Sequence, residues 1–444
     1  MSEPQTRREI GFWTATSLVV GSMIGSGVFL LPASLAVYGG ISLIGWVVTA
    51  FGSVMLALAF AHLARRNPAA GGLYAYTSDS FGPFAGFLVA WGYWISMWSA
   101  NAALAVAFAG YAAPLLSDAF PGLPDVRTTP AWGAMLAIGA VWFLTGVNAL
   151  GVRAAGRVQV VTTVLKLVPL VIVGIAGMLA LEPSRFAIPD PQTTPFGGSL
   201  FTVMTMTLFA FLGLEAATIP AGSVKDPDRT IPRATIVGTL ATAAIYIIST
   251  AAVMSLVAPE VLTASTQPFA DAARTFGGNG LARFVGVGAA ISAFGALNGW
   301  ILIVSQLPLA VARDGVFPGV FARVDKNGTP VVGMVIAGVL ATGLIYLNFS
   351  GARLVELYNK ILLLSTLATL IPYSFCSLAV FLPGGKRTTL PARVAVIAAL
   401  GFIYSLFAVY GAGAETVYLG YLLIISGLPV YVWVVRSRSA ATRT

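Results

Sequence analysis

The stretch that decides the fold is IGSGVFLLP, residues 24–32. It lies inside an apolar run longer than the roughly 20 residues that cross a membrane. Yet Gly25, Ser26 and Gly27 weaken a helix at its centre, and Pro32 follows. Backbone groups freed at membrane depth are tolerated only where they are buried in protein or line a cavity. If the helix opens here, the N–H groups of Ser26, Gly27 and Val28 face the positive end of a half-helix, which suits a carboxylate. The plainer alternative is packing, because Gly21 and Gly25 form the small-xxx-small pair common where spanning helices touch.

A second stretch favours the functional reading. GLEAATIP, residues 213–220, lies in the sixth apolar run and repeats the glycine-to-proline spacing of GSGVFLLP, residues 25–32. Interrupted helices at matching positions of two halves mark transporters built from inverted repeats. Carbonyls from Phe209 to Leu212 would be freed at a negative helix end, which suits an ammonium group. A carboxylate site opposite an ammonium site describes the backbone of an α-amino acid.

The rest of the chain fits this frame. Of its 444 residues, 57% are hydrophobic and 9% charged, against about 25% charged in soluble domains. Twelve apolar spans begin near residues 12, 40, 83, 131, 157, 198, 233, 283, 331, 354, 393 and 415. The expected fold class is therefore an all-α membrane protein of twelve transmembrane helices. Counting spans from a cytoplasmic N-terminus puts eighteen of the 25 lysines and arginines on the inner side, six outside, and Lys166 within a span. This is the positive-inside pattern, with both termini cytoplasmic. The net charge of +9 is thus an orientation signal and not a nucleic-acid footprint. The opening MSEPQTRREI has no short apolar core before a cleavage site, so the first span is expected to stay in the protein.

The chain reads as one transporter domain over residues 1–444. Five spans separate the two breaks, an odd number, so the second half is inserted upside down. The expected inverted repeats are about 10–182 and 196–383, with additional helices at about 392–435. The inner segment RRNPAAGGLYAYTSDSFGPF is too apolar for a solvated loop and is expected to pack under the bundle.

Two formally charged side chains lie at depth, Lys166 and Glu215. Each costs about 2.5–3.5 kcal/mol at a helix centre on insertion scales, so each is a functional candidate. Glu215 follows the second break and could carry a proton or hold the break open. Lys166 could supply a fixed positive charge where a sodium-coupled carrier binds a cation. Phe209 and Trp300 could hold a cationic group by cation–π attraction, although most aromatics in spans are core or interface belt. Asn101 suits a helix–helix hydrogen bond as well as a ligand. With one cysteine, Cys376, and one histidine, His62, neither a disulfide, a metal site nor a cofactor is expected. No catalytic constellation appears, which speaks against an enzyme.

GSMIGSGVFLLPA, NPAAGGLYAYTSDSFGPFAGF, GLEAATIPAGSVKDPDRTIPRAT and DGVFPGVFARVDKNGTP together resemble the amino acid–polyamine–organocation superfamily. Within it the chain is similar to the basic amino acid/polyamine antiporters, the arginine/agmatine exchangers above all. The resemblance implies a leucine-transporter-like 5+5 inverted repeat with helices 1 and 6 broken. It also implies alternating access, a plasma (inner) membrane location, and often a homodimer in the bilayer. It implies an amino acid or amine substrate held by Ile24, Ser26, Gly27, Ser96, Met97, Asn101, Phe209, Leu212, Trp300 and Ser365. Gating and proton coupling would fall to Tyr74, Tyr93, Lys166, Glu215 and Tyr373.

Two positions depart from the arginine/agmatine branch. Phe209 stands where that branch has a tryptophan that stacks on the guanidinium. Lys166 stands at an uncharged position, whereas sodium-independent carriers of neutral amino acids in other branches have a lysine in this part of span five. No further carboxylate is visible for a distal guanidinium. The competing readings are an amino acid/amine antiporter, a sodium-independent proton-coupled or exchange permease for neutral amino acids, and, from another class, a channel. A channel needs a continuous lined path, and one isolated acid and one isolated base do not supply it.

Overall fold

The computed structural model describes residues 11–66, 72–124, 129–150, 166–190, 194–215, 224–325, 328–348, 354–382 and 390–441. Regular structure among them is helical: α1 Phe12–Met23, α2 Ser26–Leu35, α3 Ile41–Arg66, α4 Leu73–Phe81, α5 Pro83–Ala119, α6 Pro130–Ala149, α7 Leu167–Leu179, α8 Phe196–Ala210, α9 Pro227–Leu256, α10 Pro259–Leu262, α11 Pro268–Arg313, α12 Val331–Asn348, α13 Leu354–Ala379, α14 Ala392–Gly411, α15 Ala414–Ile425 and α16 Gly427–Ala441. The fold class is that expected, an all-α membrane protein.

Several starts follow from local chemistry. Proline opens α5, α6, α9 and α11, where its fixed φ fits the first turn and its missing N–H removes nothing. The 46-residue α11 bends at Gly278, whose φ of 66° is cheap only for glycine. By length and composition, α3, α5, α6, α9, α11, α13, α14 and the stretch Ala414–Arg438 can each cross a membrane. The α1–α2 pair, bent by 40°, makes a ninth span. The shorter apolar helices α7, α8 and α12 stand at the fifth, sixth and ninth expected spans. The first part of the fifth span, from about residue 157 to 165, and the second part of the sixth, residues 216–223, lie outside the described residues.

Burial separates centre from rim. Within the most apolar window, 78% of α5 and 72% of α13 is buried, against 33% of α14 and 17% of the last span. α5 packs lengthwise on α11 and α13, and α9 packs on α1, α3 and α7. The rim exposes Trp13, Phe143, Leu179, Tyr410 and Trp433, large apolar side chains that suit lipid and not water. The segment after α3 does pack back: Tyr74 and Tyr76 of α4 are buried, and Thr77 meets Cys376 of α13 at 3.7 Å.

Candidate functional site

Two helix ends meet at the centre. α1 stops at Met23, Ile24 is extended (φ −72°, ψ 95°), and α2 begins at Ser26. α8 stops at Ala210, and Gly213 takes a φ of 103°, a left-handed value that favours glycine. Both glycines are also needed for contact. A Cβ on Gly27 would lie 2.8 Å from the Cβ of Ala210, and one on Gly213 would lie 2.9 Å from that of Ser22. The packing reading of GSG therefore holds beside the functional one: the breaks touch each other, so neither glycine can grow.

The last carbonyls of a helix lack intrahelical partners and must find others when buried. Here two side chains take the freed carbonyls, Lys166 at the first break and Tyr246 at both. The Lys166 Nζ donates to Gly21 O at 2.6 Å and to Ile24 O at 3.0 Å. It thus places a charge at the negative end of α1. The Tyr246 hydroxyl, from α9, lies 2.6 Å from Met23 O and 3.0 Å from Ala210 O. Its single proton is shared between the end of α1 and the end of α8. Ala210 O was within the range expected to hold an ammonium; in this state it accepts from Tyr246. Among the described residues, no side chain caps the start of α2. Among them the N-terminal donors of α2 and the buried Ser26 hydroxyl have no hydrogen-bond partner and remain open.

The space they face is small. Ser22, Met23, Gly25, Ser26, Gly27, Ala100, Leu104, Phe209, Ala210, Leu212 and Trp300 line a void of about 20 Å³, room for about one water. No charged side chain lines it among the described residues. Five expected substrate residues are on this wall: Ser26, Gly27, Phe209, Leu212 and Trp300. The other five are not. The Ile24 carbonyl is held by Lys166. The Ser365 hydroxyl donates to Ser96 O at 2.9 Å and the Ser96 hydroxyl meets Thr369, so both serines close the α5–α13 seam. Met97 and Asn101 are buried on α5, and the Asn101 amide oxygen has no hydrogen-bond partner among the described residues. Trp300 is set on α11 two residues after Asn298, whose amide oxygen accepts from Asn148 of α6 at 3.0 Å.

Three expected gating residues converge. The Glu215 carboxylate, 1% exposed, accepts from the Tyr373 hydroxyl at 2.7 Å and from the Tyr93 hydroxyl. These join α5, α13 and the second break. Tyr74 stands apart, against α5 and α13. Its phenol is pushed up to about 12 by burial and by the negative charge and hydrogen bond of Asp314. It therefore stays protonated throughout the physiological range. Tyr246 and Tyr358 were missed. Tyr358, on α13, is fully buried, with its ring edge-on to Phe209 at 6.1 Å between centroids. A polar-tipped aromatic inside a span is the only sequence signal either carries.

An apolar helical bundle with paired breaks around a small central void is the architecture of a membrane carrier. Residues 10–433 match the amino acid permease family, and the chain belongs to that family. It is 35% identical over 373 residues to a cadaverine/lysine antiporter of Escherichia coli, covering 83% of this chain and 82% of that protein. It is 33% identical to a putative arginine/ornithine antiporter of Bacillus subtilis, over 96% of each chain. It is also similar to the putrescine transporter PotE of Escherichia coli, 31% identical over 97% of each chain. The protein is a multi-pass membrane transporter with a small-molecule substrate, and not an enzyme.

Proposed function

We propose that this protein exchanges a basic amino acid for a related amine or amino acid by alternating access, without sodium. The observation that carries this reading is the meeting of opposite helix ends: open N–H donors of α2 beside the carbonyl ends of α1 and α8. That pairing suits a zwitterion, with carboxylate on α2 and ammonium on the carbonyls. The side chain would lie between Phe209 and Trp300, whose π faces attract a cation. A void of about 20 Å³ fits a closed intermediate, which must open to take cargo.

Lys166 on the α1 carbonyls supports sodium independence, because an ammonium already satisfies groups that a bound cation would otherwise meet. Glu215, between two tyrosine hydroxyls, is the proposed gate and proton-sensitive group. The chain would sit in the inner membrane with both termini cytoplasmic. Its repeats would span about 10–182 and 196–383, a reading supported by the charge bias and the matched breaks.

A second reading, exchange of neutral amino acids, is favoured by the void's uncharged lining and by the fixed charge of Lys166. Proteoliposomes separate the two. Vesicles loaded with lysine, arginine, ornithine, agmatine, cadaverine or neutral amino acids would be given labelled basic or neutral amino acids outside. Saturable uptake of a basic label, only when a basic amino acid or amine is inside, is expected. Exchange of neutral label alone would replace the substrate, and non-saturating uptake regardless of load would replace the carrier with a channel.

A further inference from the structure

We propose that Tyr358 is a substrate-contact residue that reads the carboxylate, and that it distinguishes an amino acid from its decarboxylated amine. The inference rests on the carrier reading above. It starts from an orphan: the Tyr358 hydroxyl is buried and has no hydrogen-bond partner among the described residues. A buried hydroxyl left unpaired is costly, and in a native structure it calls for a partner.

The surroundings name that partner's chemistry. The Tyr358 hydroxyl faces the Ser26 hydroxyl, which is equally buried, lines the void and lies outside hydrogen-bonding geometry with it. Ser26 is the first residue of α2, so both hydroxyls stand where the uncapped N–H donors of that helix point. All of these groups can donate, and together they describe a site for an anion. Among the described residues, the cation at this break is Lys166, and it is spent elsewhere, on the carbonyls of Gly21 and Ile24. A carboxylate at this place is therefore met by neutral donors, and each donor matters more.

The position of Tyr358 also explains why it is covered in the closed state. The Ser34 hydroxyl of α2 donates to the Asn359 side-chain oxygen at 2.5 Å, next to Tyr358 on α13. This bond holds the α2–α13 seam shut. Parting that seam widens the void and brings the phenol between Ser26 and Phe209 to its edge. An amine that lacks the carboxylate has nothing to offer the phenol.

Tyr358→Phe tests this, because the ring and its contact with Phe209 remain and only the hydroxyl is lost. Binding to the purified protein would be measured for matched pairs: lysine with cadaverine, arginine with agmatine, ornithine with putrescine, and leucine with isopentylamine. For whichever amino acid the wild type binds, the variant is expected to weaken its affinity roughly tenfold or more, the loss typical of a hydrogen bond to a charged group. Affinity for the partner amine should stay within about twofold of the wild type. A double-mutant cycle with Ser26→Ala should show coupling for the amino acid only. Equal losses for both members of a pair, or no loss for either, would overturn the proposal. If the wild type binds an amino acid but exchanges nothing, the exchange reading fails, while the selective loss in Tyr358→Phe still decides the role of Tyr358. A wild type that binds no amino acid overturns both.

Discussion

The break in the first span and the break in the sixth have the same spacing and are held by different groups. At the first, an ammonium sits on the freed carbonyls of Gly21 and Ile24, and the N–H end of α2 is left open. At the second, a tyrosine takes the freed carbonyl of Ala210, and a carboxylate follows, gripped by two more tyrosines. The first break is thus already neutralised on its negative side and ready for an anion on its positive side. The second carries a group that can gain or lose a proton, tied to α5 and α13. On the function proposed above, the same local device, a helix ending at glycine, would bind in one place and gate in the other, because different distant residues reach it. Among the described residues, the Tyr246 hydroxyl alone belongs to both.

The largest expected effect destroys the contact between the breaks. Gly27→Val puts a side chain where even a Cβ lies 2.8 Å from Ala210. Transport should vanish and thermal stability should fall, checked by exchange assay and Tm on the purified variant. Normal substrate affinity in this variant would sink the two-break site.

Lys166→Ala comes next. It bares the carbonyls of Gly21 and Ile24, and each lost charged hydrogen bond costs about 1.5–3 kcal/mol. Sodium-free exchange should drop by at least about tenfold, and sodium should restore part of it by occupying the same carbonyls. Wild-type rates without sodium would make the lysine incidental to the first break.

Tyr246→Phe should loosen both breaks at once. It leaves two buried carbonyls to share no donor, a cost of about 1–3 kcal/mol. A lower Tm and a several-fold slower exchange, with little change in the ratio of substrates, are expected. A change in selectivity without loss of stability would place this phenol in the substrate's path instead.

The smallest effects separate two acidic groups by pH. Glu215→Gln fixes the gate in its neutral form and should flatten the pH profile of exchange. Tyr74→Phe should leave the profile's shape unchanged between about pH 5 and 9. Its phenol is raised from 10 to about 12 by burial and Asp314, so whatever it contributes is fully present below pH 10 and lost only as pH rises toward 12. A profile altered by Tyr74→Phe would overturn this assignment of the pH response to Glu215.

The amino-acid sequence by itself determined the spans, the breaks and the presence of two charges at depth. Those rest on local chemistry: runs of apolar residues, glycines that release the helix, and the cost of charge in hydrocarbon. It also carried the family motifs. What only the tertiary structure decided is which residue meets which freed group. Lys166 lies 145 positions from Gly21, and Tyr246 lies 223 positions from Met23. Along the chain, Tyr246 and Tyr358 look like any aromatic in a span, because a phenol in lipid, in a core or at a site has the same composition. Ser96 and Ser365 fall on the other side of that limit. Resemblance placed them at the substrate, and in this structure they join two helices. A hydroxyl serves whatever acceptor packing brings within reach, and packing is set by the whole bundle.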